Sequence, residues 1–143
     1  MKLGLITSIC EGMTFEEVVD FAAENGLECL EVACWPQGGA NRRYAGVSHI
    51  DVADLTEAKA KEIKDLCAKK GVEISALAYY PNTMDPDLEK RAGYIAHLYK
   101  LIDASAMLDV NMVTTFVGRD PKKNVSENLE LVKEVWPPIV KYA

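Results

Sequence analysis

Long apolar runs, an excess of positive charge and a leader-like N-terminus are all missing from this sequence. No segment approaches the roughly 18 to 20 apolar residues that a membrane-spanning helix needs, and MKLGLITSIC turns polar too soon for a signal peptide. Lys and Arg number 16 against 22 Asp and Glu, for a net charge of -6. Because a nucleic-acid backbone is bound by clustered cations, this balance argues against such a partner. We therefore expect no membrane and no nucleic acid among the partners of this chain.

Closely spaced cysteines are missing as well. Cys10, Cys29, Cys34 and Cys67 include no pair separated by two residues, so neither a zinc knuckle nor a thioredoxin-like redox motif is present. Most of them lie in or beside apolar patterns, where a thiol behaves as a small hydrophobic side chain. We interpret all four as reduced thiols and expect a cytoplasmic location.

The common signatures of catalytic and phosphate-binding sites are also missing. The sequence contains no P-loop and no nucleophile elbow. It has two histidines, His49 in a loop-like segment and His97 in a helical one, and no His, Asp and Glu cluster at metal-ligand spacing. We therefore assign no catalytic residue and no metal ligand within this chain.

One sequence pattern recurs three times. GLECLEVACW begins at Gly26, GVEISALAYY at Gly71 and DVNMVTTFVG at Asp109, and each follows an Ala-rich, charged segment. Glycine suits the left-handed residue that ends a helix, and a short apolar run rich in β-branched residues is typical of a buried strand. The pattern predicts a helix-to-strand junction, repeated along the chain.

The remaining patterns complete an alternation of four strands and four helices. Strands are predicted at residues 3–7, 28–34, 72–78 and 110–116, with a long irregular loop, WPQGGANRRYAGVSHIDVADL, after the second strand. Thr14 with Glu17 forms a capping box at the first helix, and Thr56 caps the second. Asp85 followed by Pro86 predicts the start of the third helix, which runs to about residue 107.

The fourth helix is predicted to begin at Asn124 or Ser126. Pro137 and Pro138 follow inside it, and proline removes a helical donor and clashes with the preceding turn. We expect these prolines to kink or interrupt the helix near Trp136.

Strands that alternate with helices form a parallel sheet, and right-handed crossovers place the helices on one face when the strand order follows the sequence. Such a sheet curls towards a (β/α)8 barrel. A doubly wound sheet is the competing fold, but its Gly-rich turn is absent, since TSICEGM after the first strand has a single glycine. We predict an α/β fold, the N-terminal half of a (β/α)8 TIM barrel, with residues 1–143 as a single partial domain that stops before a fifth strand.

Working residues of such barrels project from the carboxyl ends of the strands. Trp35 at the second strand end is a candidate ring for stacking on a sugar, or else a hydrophobic plug beneath the long loop. Tyr79 and Tyr80 point to opposite faces, so at most one lines the barrel mouth. Arg119 either binds a phosphate or carboxylate or pairs with Asp120.

Glu31 leaves two alternatives open. If the second strand turns this residue into the barrel, a buried carboxylate needs a partner or a bound cation. If the residue lies on the other face, it forms a salt bridge with a neighbouring element.

Four segments together resemble a known family. KLGLITS, GLECLEV up to Trp35, GVEISALAYYPN followed by DPD, and MVTTFVGRDP resemble the xylose isomerase-like TIM barrels, which include sugar phosphate isomerases and epimerases, with inosose dehydratase-like proteins and endonuclease IV among their relatives. The likeness to endonuclease IV is incomplete, because tyrosines stand at 79 and 80 where a zinc-binding histidine would be needed.

The resemblance implies the N-terminal half of a metal-dependent sugar or sugar-phosphate isomerase or epimerase, with this half inactive alone. A divalent metal (Mn, Mg, Co or Zn) would be held by later strands beyond Ala143, and none is expected in this chain. Only positions on the substrate side match here: Trp35, Tyr79, Thr115, Phe116 and Arg119. The implied partner is a sugar or polyol substrate. The alternatives are an inositol-type dehydratase on the same scaffold and a non-catalytic half-barrel that forms a homodimer through its open sheet edges.

Overall fold

The computed structural model describes residues 1–38 and 46–143; residues 39–45 of the predicted long loop lie outside the described residues. Within the described part of the chain, strands and helices alternate as predicted. The strands are β1 (Gly4–Ile6), β2 (Cys29–Ala33), β3 (Glu73–Ala78) and β4 (Val113–Thr114), and the helices are α1 (Phe15–Glu24), α2 (Glu57–Lys70), α3 (Leu88–Met107) and α4 (Val125–Tyr142), with a 3-10 turn at Thr7–Ile9.

The strands β1 to β4 pair in parallel, and the sheet order β1-β2-β3-β4 follows the sequence. One face of the sheet and the helices share a single hydrophobic core, to which Leu30 and Val32 of β2 and Leu77 of β3 contribute. A sequential parallel sheet with right-handed crossovers carries its helices on one side. The predicted half-barrel is confirmed.

The predicted caps fix the first two helices. The Thr14 hydroxyl accepts a hydrogen bond from the Glu17 amide at 3.2 Å, while the Glu17 carboxylate accepts one from the Thr14 amide at 2.7 Å. Thr56 caps α2 through the Lys59 amide, and Gly71 ends α2 with a φ of 69°. A side-chain cap of this kind stabilises a helix by about 1 kcal/mol.

The predicted start of α3 is wrong by two residues. The N-cap is Asp87, whose Oδ1 accepts hydrogen bonds from the amides of Glu89 and Lys90. Asp85 instead accepts from the Asp87 amide at 2.9 Å, so Asp85 and Pro86 form the turn that leads into the helix. Asp87 is the N-cap because its carboxylate reaches two free amides at the start of the helix.

Of the predicted kink or interruption of α4, the interruption is wrong. The helix begins after Asn124, which forms a capping box with Glu127, and it continues from Val125 to Tyr142 with both prolines inside. Pro137 and Pro138 leave the carbonyls of Lys133 and Glu134 without helical donors. All four residues are exposed, so water can satisfy those carbonyls.

A β-bulge in β3 decides which side chains face which way. Ile74 pairs with Leu30 and Ala76 pairs with Glu31, which leaves Ser75 as an extra residue. The Ser75 hydroxyl donates a 3.0 Å hydrogen bond to the Leu30 carbonyl. Bulges of this kind re-aim the side chains that follow them.

The cysteines are free thiols, as the sequence indicates. Burial raises the pKa of Cys34 to about 12 and that of Cys67 to about 11, so both thiols stay protonated and unreactive near neutral pH. Across residues 1–38 and 46–143, no helix combines the length and apolar character needed to cross a membrane.

Candidate functional site

The sheet face turned away from the helices carries a polar group at its carboxyl end. We call this face the lumen face, because a closed barrel would enclose it. It is defined here by the residues that alternate with the core positions of β2, β3 and β4: Glu31, Ala33, Ala76, Ala78, Tyr80 and Thr114.

Glu31 is the centre of this group. Its Oε1 accepts a hydrogen bond from the Tyr80 hydroxyl and a second one, of 2.9 Å, from the Thr114 hydroxyl. The ion pairs of the described residues do not include Glu31. Of the two alternatives for this residue, the inward orientation is therefore confirmed, and its partners are two hydroxyl groups.

Tyr80 is held in its neutral form by its surroundings. Burial, and then the hydrogen bond to Glu31, raises the pKa of Tyr80 above its ordinary value. A phenol with a raised pKa keeps its proton at neutral pH and acts as a donor. Tyr80 can therefore fix the orientation of the Glu31 carboxylate, and it is a poor general base.

Phe116 extends the group towards solvent. Its ring lies against the Tyr80 ring, with the centroids 4.7 Å apart and the planes tilted by 46°. Phe116 remains 60% exposed. An exposed apolar ring surface therefore stands beside Tyr80, the donor to Glu31, at the edge of the lumen face.

Trp35 and Tyr79 form a separate aromatic stack on the core side. The ring of Tyr79, 1% exposed, meets Trp35 edge-on at 4.8 Å and His97 at 4.7 Å. Trp35 is partly buried and packs against the core. The ring nitrogen Nε2 of His97 lies 2.8 Å from the Cys34 carbonyl, and burial lowers the pKa of this histidine. Of the two tyrosines, Tyr80 thus faces the lumen and Tyr79 supports Trp35.

Arg119 lies in a loop that is fixed through its main chain. Asn82 accepts from the Arg119 amide at 2.8 Å and donates to the Arg119 carbonyl at 2.9 Å, and Thr83 donates to the Val117 carbonyl at 2.7 Å. The Arg119 side chain is exposed. An exposed guanidinium group is therefore carried at the end of the sheet by a loop whose main chain is fixed by hydrogen bonds.

Asp120 has a different role from the one the sequence allowed. Within the described residues it forms no ion pair with Arg119. Its Oδ1 accepts from the Lys122 amide at 2.9 Å, and its own amide donates to Asn128 at 2.8 Å. Asp120 therefore shapes the turn into α4, and among the described residues it forms no ion pair with Arg119.

Thr115 lies apart from the lumen-face group. It borders a groove of about 590 Å³ between α3, α4 and the free edge of β4. The predicted site residues therefore fall into distinct places: Phe116 on the lumen side, Trp35 and Tyr79 in the aromatic stack, Arg119 on the loop and Thr115 at the groove.

The described residues do not supply a metal centre. Within ranges 1–38 and 46–143, no three His, Cys, Asp or Glu side chains are placed to hold one ion. Glu31 is a single carboxylate whose Oε1 already accepts hydrogen bonds from two hydroxyl groups. The donor set of these residues therefore does not fit a divalent metal.

Comparison with known proteins places this geometry in a family. The model of the xylose isomerase-like TIM barrel matches residues 19–143. The chain is 26% identical over 147 residues to the uncharacterized protein YfiH of Bacillus subtilis (strain 168), covering 99% of this chain and 44% of that protein. It thus spans about half the length of the proteins that it matches.

Solved structures show the same fold. A crystal structure of D-psicose 3-epimerase in the presence of D-fructose matches with a TM-score of 0.67 and 18% identity, over 100% of this chain and 48% of that one. The structure of the IOLI protein with a binding zinc atom matches with a TM-score of 0.67 and 14% identity, over 100% of this chain and 48% of that one. Since the family model covers most of its length, the chain belongs to the xylose isomerase-like TIM barrel family.

Proposed function

We propose that this chain is the N-terminal half of a metal-dependent sugar or sugar-phosphate isomerase or epimerase that works in the cytoplasm. The observation that carries the proposal is the group of Glu31, Tyr80, Thr114 and Phe116 at the carboxyl end of a parallel half-barrel. Barrel enzymes build their active sites at this end. A D-psicose 3-epimerase of the same fold supports a sugar as the substrate class.

The chemistry of the group suits a polyhydroxyl ligand. Carboxylate and hydroxyl oxygens bind sugar hydroxyls, and the exposed ring of Phe116 offers an apolar surface to the C–H face of a sugar. Arg119, exposed at the same end of the sheet, would bind the phosphate of a phosphorylated substrate bidentately. In this proposal these side chains bind and orient the substrate. Trp35, which contacts the Tyr79 ring, lies at the carboxyl end of β2.

In this proposal the proton transfer uses groups outside this half of the protein. Tyr80 has a raised pKa and donates, so it cannot act as a base near neutral pH. The metal would be Mn, Mg, Co or Zn, which would polarise a carbonyl, and the zinc of the IOLI structure supports metal use in this fold. In this proposal the metal ligands and the acid and base lie in the second half of the protein, and the isolated chain has no turnover.

A panel assay tests this function. The full-length protein that contains this chain would be stripped of metal, reloaded with each of the four ions and supplied with aldoses, ketoses, their phosphates and inositols. The proposal expects interconversion of one aldose–ketose or epimer pair. A product that has lost one water would favour an inositol-type dehydratase instead, and no product with any ion would refute both.

For this chain on its own we also propose self-association through the open sheet edges. Within the described residues β1 and β4 each have one strand partner. Apolar side chains lie exposed near both edges: Leu3 before β1 is 66% exposed, Met112 before β4 is 56% exposed, and Val140 of α4, across the groove from Met112, is 67% exposed. A free parallel edge readily pairs with another chain. The β4 edge of one copy and the β1 edge of a second would close a ring of eight strands.

Sedimentation velocity tests this association. We expect a dimer that Met112→Lys dissociates, because a charge would enter the groove beside β4. Leu88→Lys is the matched control, since Leu88 is 69% exposed and does not border that groove. A monomer at high concentration would contradict the association and leave the sugar-enzyme proposal unaffected.

A further inference from the structure

The Glu31 carboxylate offers one unused oxygen to the lumen. Both of its hydrogen bonds, from Tyr80 and Thr114, end on Oε1. No hydrogen bond from the described residues reaches Oε2, and that atom is not among their buried, unsatisfied atoms. Oε2 is therefore an acceptor that a molecule in the lumen can reach.

The carboxylate is fixed in place from two further strands. Tyr80 follows β3 and Thr114 belongs to β4, while Glu31 lies on β2. The bulge at Ser75 shifts the alternation of side chains along β3, so that Tyr80 lies on the lumen face. Phe116 packs on the Tyr80 ring. A carboxylate oriented in advance loses little side-chain entropy when a ligand binds.

The neighbours of Glu31 leave room for a ligand. The lumen-face positions beside it on the sheet are Ala33, Ala76 and Ala78, whose side chains are single methyl groups. Ile6 pairs with Glu31 from β1. The Glu31 carboxylate therefore stands among small side chains on the lumen face, with Phe116 packed on the neighbouring Tyr80 ring.

We propose that Glu31 is a substrate-binding residue whose Oε2 accepts a hydrogen bond from one hydroxyl group of an uncharged polyol segment of the substrate. A hydroxyl is a donor, and its hydrogen bond to a carboxylate is short and charge-assisted. A phosphate at the same position would meet a carboxylate of like charge. Glu31 therefore selects the neutral end of a sugar, and any phosphate binds towards Arg119. The proposal deepens the proposed function and rests on it for the substrate class.

Ligand binding by the full-length protein tests this role without turnover. D-fructose and a set of its monodeoxy analogues would be titrated into the wild type and into Glu31→Gln, with dissociation constants read from saturation-transfer NMR. In the wild type, removal of the hydroxyl that Glu31 binds should weaken binding about 10- to 100-fold. In Glu31→Gln, removal of the same hydroxyl should weaken binding less than about threefold. The reason is that a neutral amide replaces the charged carboxylate that accepted its hydrogen bond.

A matched control separates this effect from a change of net charge. Glu130→Gln removes one carboxylate from an exposed position on α4, where Glu130 pairs with Lys133. That variant should keep the full discrimination between sugar and deoxy analogue. Equal discrimination in Glu31→Gln and the wild type would assign Glu31 a structural role only and overturn the inference.

A readout in the unmutated protein covers the case in which Glu31→Gln does not fold. The carboxyl carbon resonance of Glu31 should shift when D-fructose binds, and that of Glu130 should not. An unshifted Glu31 resonance at saturation, or no binding of any neutral sugar of the set, overturns the inference. An inactive protein that binds through Glu31 refutes the isomerase or epimerase activity alone, whereas an active protein whose binding ignores Glu31 refutes this inference alone.

Discussion

The Tyr80 hydroxyl donates a hydrogen bond to Glu31 across the sheet, from the second residue after the end of β3 to the middle of β2. This contact joins β2 to the segment that follows β3 on the lumen face. It ties the Glu31 carboxylate to one orientation and satisfies part of its hydrogen-bonding capacity on the lumen face.

Loss of this contact should cost stability. We expect Tyr80→Phe to lower the free energy of unfolding by about 1 to 2 kcal/mol, because a hydrogen bond to a partly buried carboxylate is removed. Urea unfolding followed by circular dichroism measures it. Tyr142→Phe makes the same chemical change at an exposed tyrosine that donates to Asp103, and it should cost less than about 0.5 kcal/mol. Equal costs in the two variants would contradict the account.

The buried histidine predicts a pH dependence. Burial lowers the pKa of His97 below its ordinary value, so the folded state binds fewer protons than the unfolded state as the pH falls below about 6.5. Stability contributed by neutral His97 is therefore complete above that pH and is lost as the pH falls towards the folded pKa. His49, whose pKa burial also lowers, adds to the same trend.

The slope of stability against pH isolates this effect. We expect His97→Gln to reduce the fall in unfolding free energy between pH 7 and pH 5, whatever its cost at pH 7. Urea titrations at several pH values give the slopes. A steeper fall in His97→Gln than in the wild type would show that the histidine is not buried in its neutral form.

The β4–α4 loop depends on one glycine. Gly118 has a φ of 76°, and a Cβ there would lie 2.0 Å from Asn82 Oδ1. Gly118→Ala should therefore break the Asn82–Arg119 pairing and cost at least about 2 kcal/mol, from backbone strain and the lost hydrogen bonds.

Gly26→Ala is the matched control for this glycine. Gly26 has a φ of 69° with no atom within 4 Å of an added Cβ, so its replacement should cost only the left-handed strain of about 1 to 2 kcal/mol. Thermal unfolding of both variants checks the order. A larger loss of stability in Gly26→Ala than in Gly118→Ala would contradict the role of Asn82 in fixing the loop.

Local signals in the sequence predict much of this fold. Thr14 with Glu17, Thr56 and Gly71 place helix ends from chemistry that acts within one turn, so tertiary context changes little. The sequential strand order follows from the repeated helix-to-strand junction. Where two local signals compete, as at Asp85 and Asp87, the sequence does not decide which carboxylate finds the free amides.

The lumen-face group could not be predicted from the sequence in the same way. Strict alternation from Ile74 would carry Tyr80 into the core and Tyr79 into the lumen, and the bulge at Ser75 reverses that assignment. A bulge depends on pairing between strands, here on the hydrogen bond from Ser75 to Leu30. The partnership of Glu31 with Tyr80 is a contact between strands and has no signature in either strand alone.

The central claim is that this chain carries the substrate-binding half of a sugar isomerase or epimerase. Incorporation of deuterium tests it most directly, because an enediolate-type proton transfer exchanges a carbon-bound proton with solvent. The full-length protein, loaded with a divalent metal in D2O, should place deuterium at one carbon of a sugar or its product, and proton NMR would show the loss of that signal. Substrates that keep every carbon-bound proton with Mn, Mg, Co and Zn alike would contradict the claim.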